Sequence, residues 1–108
     1  MKRSQLINQT QRLIADGERL EAHPDMGGLR LWIQLSDDLL RVAWGEMDRY
    51  HLAWLMVGRP AAVRGRRMTA AEEADYVREV AHQKTAALRM SLKAAQDHMP
   101  FVGETPED

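Results

Sequence analysis

The sequence predicts an all-α protein: an antiparallel hairpin of two long helices with a shorter N-terminal helix, a helical bundle completed by dimerisation. Three observations lead there. Apolar residues recur at three-, four- and seven-residue spacing through most of the chain, which marks one buried stripe per helix. All three tryptophans fall on one such segment. A Thr-Ala-Ala-Glu capping box, Thr69 to Glu72, opens another.

The first helix is expected from Ser4 to Ala22. Leu6, Leu13 and Leu20 repeat every seven residues, Ile7 and Ile14 lie beside them, and Thr10 and Gly17 share the stripe. Small side chains there let a neighbouring helix come close. "HPDMGG" ends the segment, because proline restricts its predecessor and glycine loosens the backbone.

The second helix is expected from Leu29 to Val57. At about 100° per residue, Leu39, Ala43, Tyr50 and Trp54 fall within roughly 40° of Trp32. Arg30, Gln34, Asp37, Asp38, Arg41, Gly45, Asp48 and Arg49 occupy the opposite sector. "SDD" offers a cap for a break near Ser36. Towards its end the polar sector disappears: "HLAWLMVG" is apolar nearly all round. Such a helix end needs a cover, and a second chain is the expected one. Leu52, Trp54, Leu55 and Met56 are therefore the expected partner-binding residues.

The third helix follows Thr69. Glu72, Glu73 and Asp75 suit the positive end of its dipole. Ala74, Val77, Ala81, Leu88, Leu92, Ala95 and Met99 make its seam, interrupted by Lys84. Pro100 stops it. The domain is expected to cover residues 1–99, with 100–108 an acidic, mobile tail.

With 108 residues, 44% hydrophobic and 29% charged, the chain has the make-up of one folded domain. It lacks cysteine, which excludes a disulfide framework and a thiolate metal site. The basic start has no apolar core of a signal peptide, and no run approaches the ~18–20 apolar residues of a membrane span. A cytoplasmic protein without membrane contact is expected.

The net charge of −1 hides a division. Between Asp48 and Glu72 there is no acidic residue, yet Arg49, Arg59, Arg64, Arg66 and Arg67 lie there. This positive end would steer an anionic partner, and Arg59, Arg64, Arg66 and Arg67 are the expected anion- or nucleic-acid-binding residues. Gly58-Arg59-Pro60 and Arg64-Gly65-Arg66 together resemble the arginine-glycine-arginine-proline core of AT-hook peptides, here split in two. That resemblance implies minor-groove contact; as a plain connector, Pro60 and Gly65 would supply turn geometry.

Glu79-Val-Ala-His82 and Asp48-Arg-Tyr-His51 have the Glu-x-x-His type of spacing that carries di-iron ligands in helical bundles. A hairpin turning near residue 63 would level 48 with 79 and 51 with 82. Only His51 points inward on this reading, and it is expected to be a hydrogen-bonded core or interface residue. No metal, cofactor or catalytic set is expected. The function read from these residues is a non-enzymatic helical interaction protein (a small regulator, adaptor or assembly subunit). It would form a homodimer and meet a protein with an acidic surface. The alternative is a nucleic-acid-binding protein using the Arg-rich 58–67 loop.

Overall fold

A computed structural model describes residues 1–58 and 67–106. Among these the chain is all-helical, with helix over 74% and no strand. The helices are α1 (Arg3–Ala22), α2 (Met26–Trp44), α3 (Arg49–Leu55) and α4 (Ala70–Gln96).

Helix α1 buries Leu6, Thr10, Leu13, Ile14 and Gly17, the stripe its seven-residue repeat specifies. Thr10 would be a polar intruder there, but its hydroxyl donates to the Leu6 carbonyl at 2.6 Å. Helix α2 begins at Met26, earlier than the apolar pattern shows. The Asp25 carboxylate accepts the Gly28 N–H at 2.8 Å, so the "DMGG" stretch is a capped first turn. At α4 the capping box forms both halves: Thr69 Oγ1 accepts from Glu72 N at 3.2 Å, and Glu72 Oε1 accepts from Thr69 N at 3.0 Å.

The expected long helix over 29–57 does not exist as one rod. It breaks at Gly45, not near Ser36, which lies buried in the middle of α2. Gly45 has φ 102° and ψ 148°, and Met47 follows with φ 62°. Only glycine enters the first of these regions cheaply. Folding the last turns back, instead of extending them into solvent, sets Tyr50 against Trp44 with ring centroids 4.5 Å apart. It also buries His51 and Trp54. Gly45→Ala should therefore cost about 1–3 kcal/mol. Gly27→Ala, at an open helical position, should be neutral or slightly stabilising. Urea unfolding of the two variants side by side checks this, and equal effects would refute it.

The expected hairpin is also re-partnered. Helix α4 packs most extensively on α1, and least on α2. Helices α1 and α4 run antiparallel, with Gly17 beside Thr85 and Glu18 accepting from Arg89 at 2.9 Å. Helix α2 runs alongside α4 in the same direction: Met26 lies near Val77, and Trp44 Nε1 donates to Ser91 Oγ at 2.8 Å. Helix α3 then reverses, bringing Trp54 to Lys84 and the Gly58 N–H to Gln83 Oε1 at 2.9 Å. A third tryptophan contact ties α2 to α1, where Trp32 Nε1 donates to the Leu13 carbonyl at 2.8 Å.

Residues 101–105, expected as part of a mobile tail, are held in place. Phe101 is buried against Trp44, ring centroids 5.7 Å apart. Gly103 N donates to Ala43 O at 3.0 Å, and Thr105 N to Met1 O at 2.9 Å. Arg3 clamps the same region: its guanidinium donates to the Ala95 and Met99 carbonyls at 2.9 and 3.0 Å. It also bridges both Glu104 carboxylate oxygens at 3.0 Å and lies 5.1 Å from the Phe101 ring centroid. One arginine thus adds a donor to the Ala95 carbonyl in the last turn of α4, which also accepts from His98 N, and reaches the Met99 carbonyl just beyond the helix. The acidic composition of the tail concealed this, because the anchor is a single phenylalanine and its partner lies at the other end of the chain.

Candidate interaction surfaces

The expected partner patch divides in two. Trp54 is a core residue, only 1% exposed, and so leaves the partner-binding set. Its ring lies 4.0 Å from Lys84 Nζ and stacks on His51. Lys84 explains its own interruption of the α4 seam: it is buried, and its ammonium donates to the Trp54 carbonyl at 2.8 Å. That carbonyl belongs to the last turn of α3, where no helical N–H reaches it. Leu55 is half-buried against the core. Leu52 and Met56 remain at the surface, 38% and 63% exposed, and the tail does not cover them. Phe101 is spent on Trp44 instead.

Of the expected anion-binding residues, Arg59, Arg64 and Arg66 lie outside the described residues, as do Pro60 and Gly65. Arg67 is exposed just before the α4 cap.

The histidine pairs do not assemble. His51 Nδ1 accepts the Met47 N–H at 2.9 Å, so its proton sits on Nε2, which donates to Asp37 Oδ1 at 2.6 Å. The other Asp37 oxygen takes Arg41 Nε at 3.1 Å. The resulting chain, from the Met47 amide through His51 and Asp37 to Arg41, pins α3 onto α2 beside the Gly45 turn. His82 instead pairs across to α1, its Nδ1 2.7 Å from Glu21 Oε1. The expected levels of 48 with 79 and 51 with 82 presuppose an unbroken second helix. Among the described residues no group of three or more metal-ligating side chains is arranged to hold an ion.

A second surface escaped the sequence reading. Leu31, Leu35 and Val42 stand on the outer side of α2, with Leu31 61% and Val42 59% exposed. Val102, 81% exposed, extends the line beyond the helix end, beside Gly45. Centring the α2 face on Trp32 makes these residues look like strays at the edge of the buried stripe. Their four-, three- and four-residue steps through Asp38 are the signal that identifies a second seam. Asp38 is the polar member. It accepts from Arg41 at 2.8 Å and from Gln34 at 3.1 Å. Arg41 first, and Gln34 next, hold its carboxyl below the ordinary value of 3.8. A depressed value means that the contribution of the ion is present above that pH and is lost as the pH falls below it. Asp38 is therefore a paired anion at neutral pH.

The class these features define is an all-α chain of four described helices with apolar residues left on two outer faces. No protein-family model matches the chain, and no curated protein or solved structure matches it either. None of the described helices is long and apolar enough to cross a membrane.

Proposed function

We propose that this is a non-enzymatic helical interaction protein, a small regulator, adaptor or assembly subunit that acts through protein–protein contacts and forms a homodimer. One observation carries the reading. Large apolar side chains, Leu52 and Met56 on α3 and Leu31, Leu35 and Val42 on α2, stay outside a core that already has its tryptophans and leucines inside. Grouped exposed apolar residues of this kind mark contact surfaces more often than isolated ones do. The buried ionisable groups support the same reading, since His51 and Lys84 hold α3 in place.

Leu52 and Met56 lie within the acid-free stretch between Asp48 and Glu72, just before its run of arginines from Arg59 to Arg67. A partner covering them would meet positive charge beside an apolar patch, which suits a protein with an acidic rim. The second reading is nucleic-acid binding through the Arg-rich 58–67 segment, favoured by that same segregation of charge.

Light-scattering mass separates the two, measured on the protein alone and then with short duplex DNA at low and moderate salt. The interaction reading expects a mass that ignores DNA. It also expects association with a protein partner that Leu52→Asp or Met56→Asp removes while helical circular dichroism is unchanged. A DNA complex that weakens steeply with salt, and is lost when Arg64, Arg66 and Arg67 become alanine, would move the function to the arginine segment.

A further inference from the structure

The proposed interaction function leaves open which face joins two copies. We infer that the outer seam of α2 is the self-association surface, covered by α2 of a second copy lying antiparallel across it. The inference rests on the interaction reading, but it can fail separately from it.

Leu31, Leu35, Asp38 and Val42 follow one another at the alternating spacing of a two-helix seam. A two-fold axis passing between Ser36 and Asp37 sets Leu31 against the second copy's Val42, and Leu35 against its Asp38. Every apolar member then has a neighbour. Asp38 enters as one half of an ion pair that already exists, with Arg41 and Gln34 on its oxygens. No naked carboxylate has to be desolvated.

Charge selects the direction. In a parallel pair each Asp38 would face the other copy's Asp38. The antiparallel pair instead carries Arg30, beside Leu31, towards the far end of the partner helix. There a shallow groove is lined by Asp38, Arg41, Val42 and Glu46. Neither Arg30 nor Glu46 makes an ion pair or side-chain hydrogen bond among the described residues. The two-fold would pair them twice, once at each end. A surface that is complementary to itself under a two-fold is what an isologous dimer requires.

Area sets the strength. From Leu31 to Val42 the seam is about 16 Å long, and Val102 lengthens it at one end. That falls short of the ~800 Å² per partner of a standard stable interface. The dimer is expected to be weak, with a dissociation constant of roughly tens to hundreds of micromolar.

The test uses the whole chain, whose lack of cysteine leaves introduced thiols unambiguous. Sedimentation velocity over roughly 5–500 µM should show a monomer–dimer equilibrium in that range. Leu31→Asp should leave a monomer throughout, with unchanged helical circular dichroism, while Leu52→Asp dimerises like the parent. Arg30→Glu and Glu46→Arg should each weaken the dimer roughly three- to tenfold, and the two together should restore it. Under mild oxidation, a mixture of Leu31→Cys and Val42→Cys chains should form the mixed 31–42 disulfide. Disulfides of 31 with 31 and 42 with 42 alone would mean a parallel pair and overturn the inference. So would a monomer at every concentration. A dimer lost with Leu52→Asp and kept with Leu31→Asp would also overturn it, yet leave the interaction reading standing on α3.

Discussion

Gly17→Val is expected to lower stability by about 3 kcal/mol or more, enough to bring the thermal midpoint down by roughly 12–24 °C. Gly17 lies where α1 packs directly against Thr85 of α4. A Cβ added there would overlap Thr85 Oγ1 and stand 2.8 Å from Trp32 Cζ2. Neither neighbour can step aside cheaply. Thr85 is fully buried, and the Trp32 ring is held by its bond to the Leu13 carbonyl. The helices must separate, and the contacts along the whole α1–α4 seam weaken together. Gly17→Ala should cost less, about 1–2 kcal/mol, because alanine recovers about 1 kcal/mol of helix propensity. A partner substitution checks the mechanism. The Thr85 hydroxyl has no hydrogen-bond partner among the described residues, so Thr85→Ala alone should be nearly neutral. Combined with Gly17→Ala it should return much of the loss. Simple addition of the two effects in urea melts would mean that the close approach is not the cause.

Trp54→Ala should cost about 3–5 kcal/mol, as expected for an aromatic side chain removed from a packed core. Leu52→Asp, two positions earlier on the same short helix, should stay within about 1 kcal/mol. The contrast separates a residue that holds the fold from one that the fold leaves outside. Trp54→Ala also takes the aromatic face from beneath the Lys84 ammonium and the stack from His51. Trp54→Phe should be much milder. It keeps the ring and discards an indole N–H that is buried with no hydrogen-bond partner among the described residues, so the loss of volume is partly offset. If Trp54→Ala instead leaves stability intact and abolishes association, Trp54 is a partner residue after all and α3 must open to present it.

Both effects arise from one feature of the sequence, the placing of small or turn-forming residues between apolar stripes. Gly17 lets α1 close on α4. Gly45 ends α2 and turns α3 back. The first was legible as a small residue on a leucine stripe. The second was not, because Gly45 falls in the polar sector of an extended helix, where glycine looks merely tolerated. Helical periodicity continues in phase across the break, with Tyr50 and Trp54 still aligned with Trp32, so the pattern gives no warning of a reversal.

The sequence by itself determined the helical class, the stripe of α1, the start of α4 at Thr69 and the division of charge around the arginine segment. Each rests on interactions within a few residues, or on counting, and local rules suffice for those. Only the tertiary structure decided which helix pairs with which, that Lys84 caps α3 from inside the core, and that His51 closes on Asp37. It also decided that Phe101 and Arg3 fasten the two ends of the chain, and that Leu31, Leu35 and Val42 are left outside. These outcomes depend on contacts between residues far apart in sequence. Several backbone arrangements can bury the same apolar stripes, and the choice among them falls to single groups: a glycine that can turn, a carbonyl that needs a donor, a ring that fits.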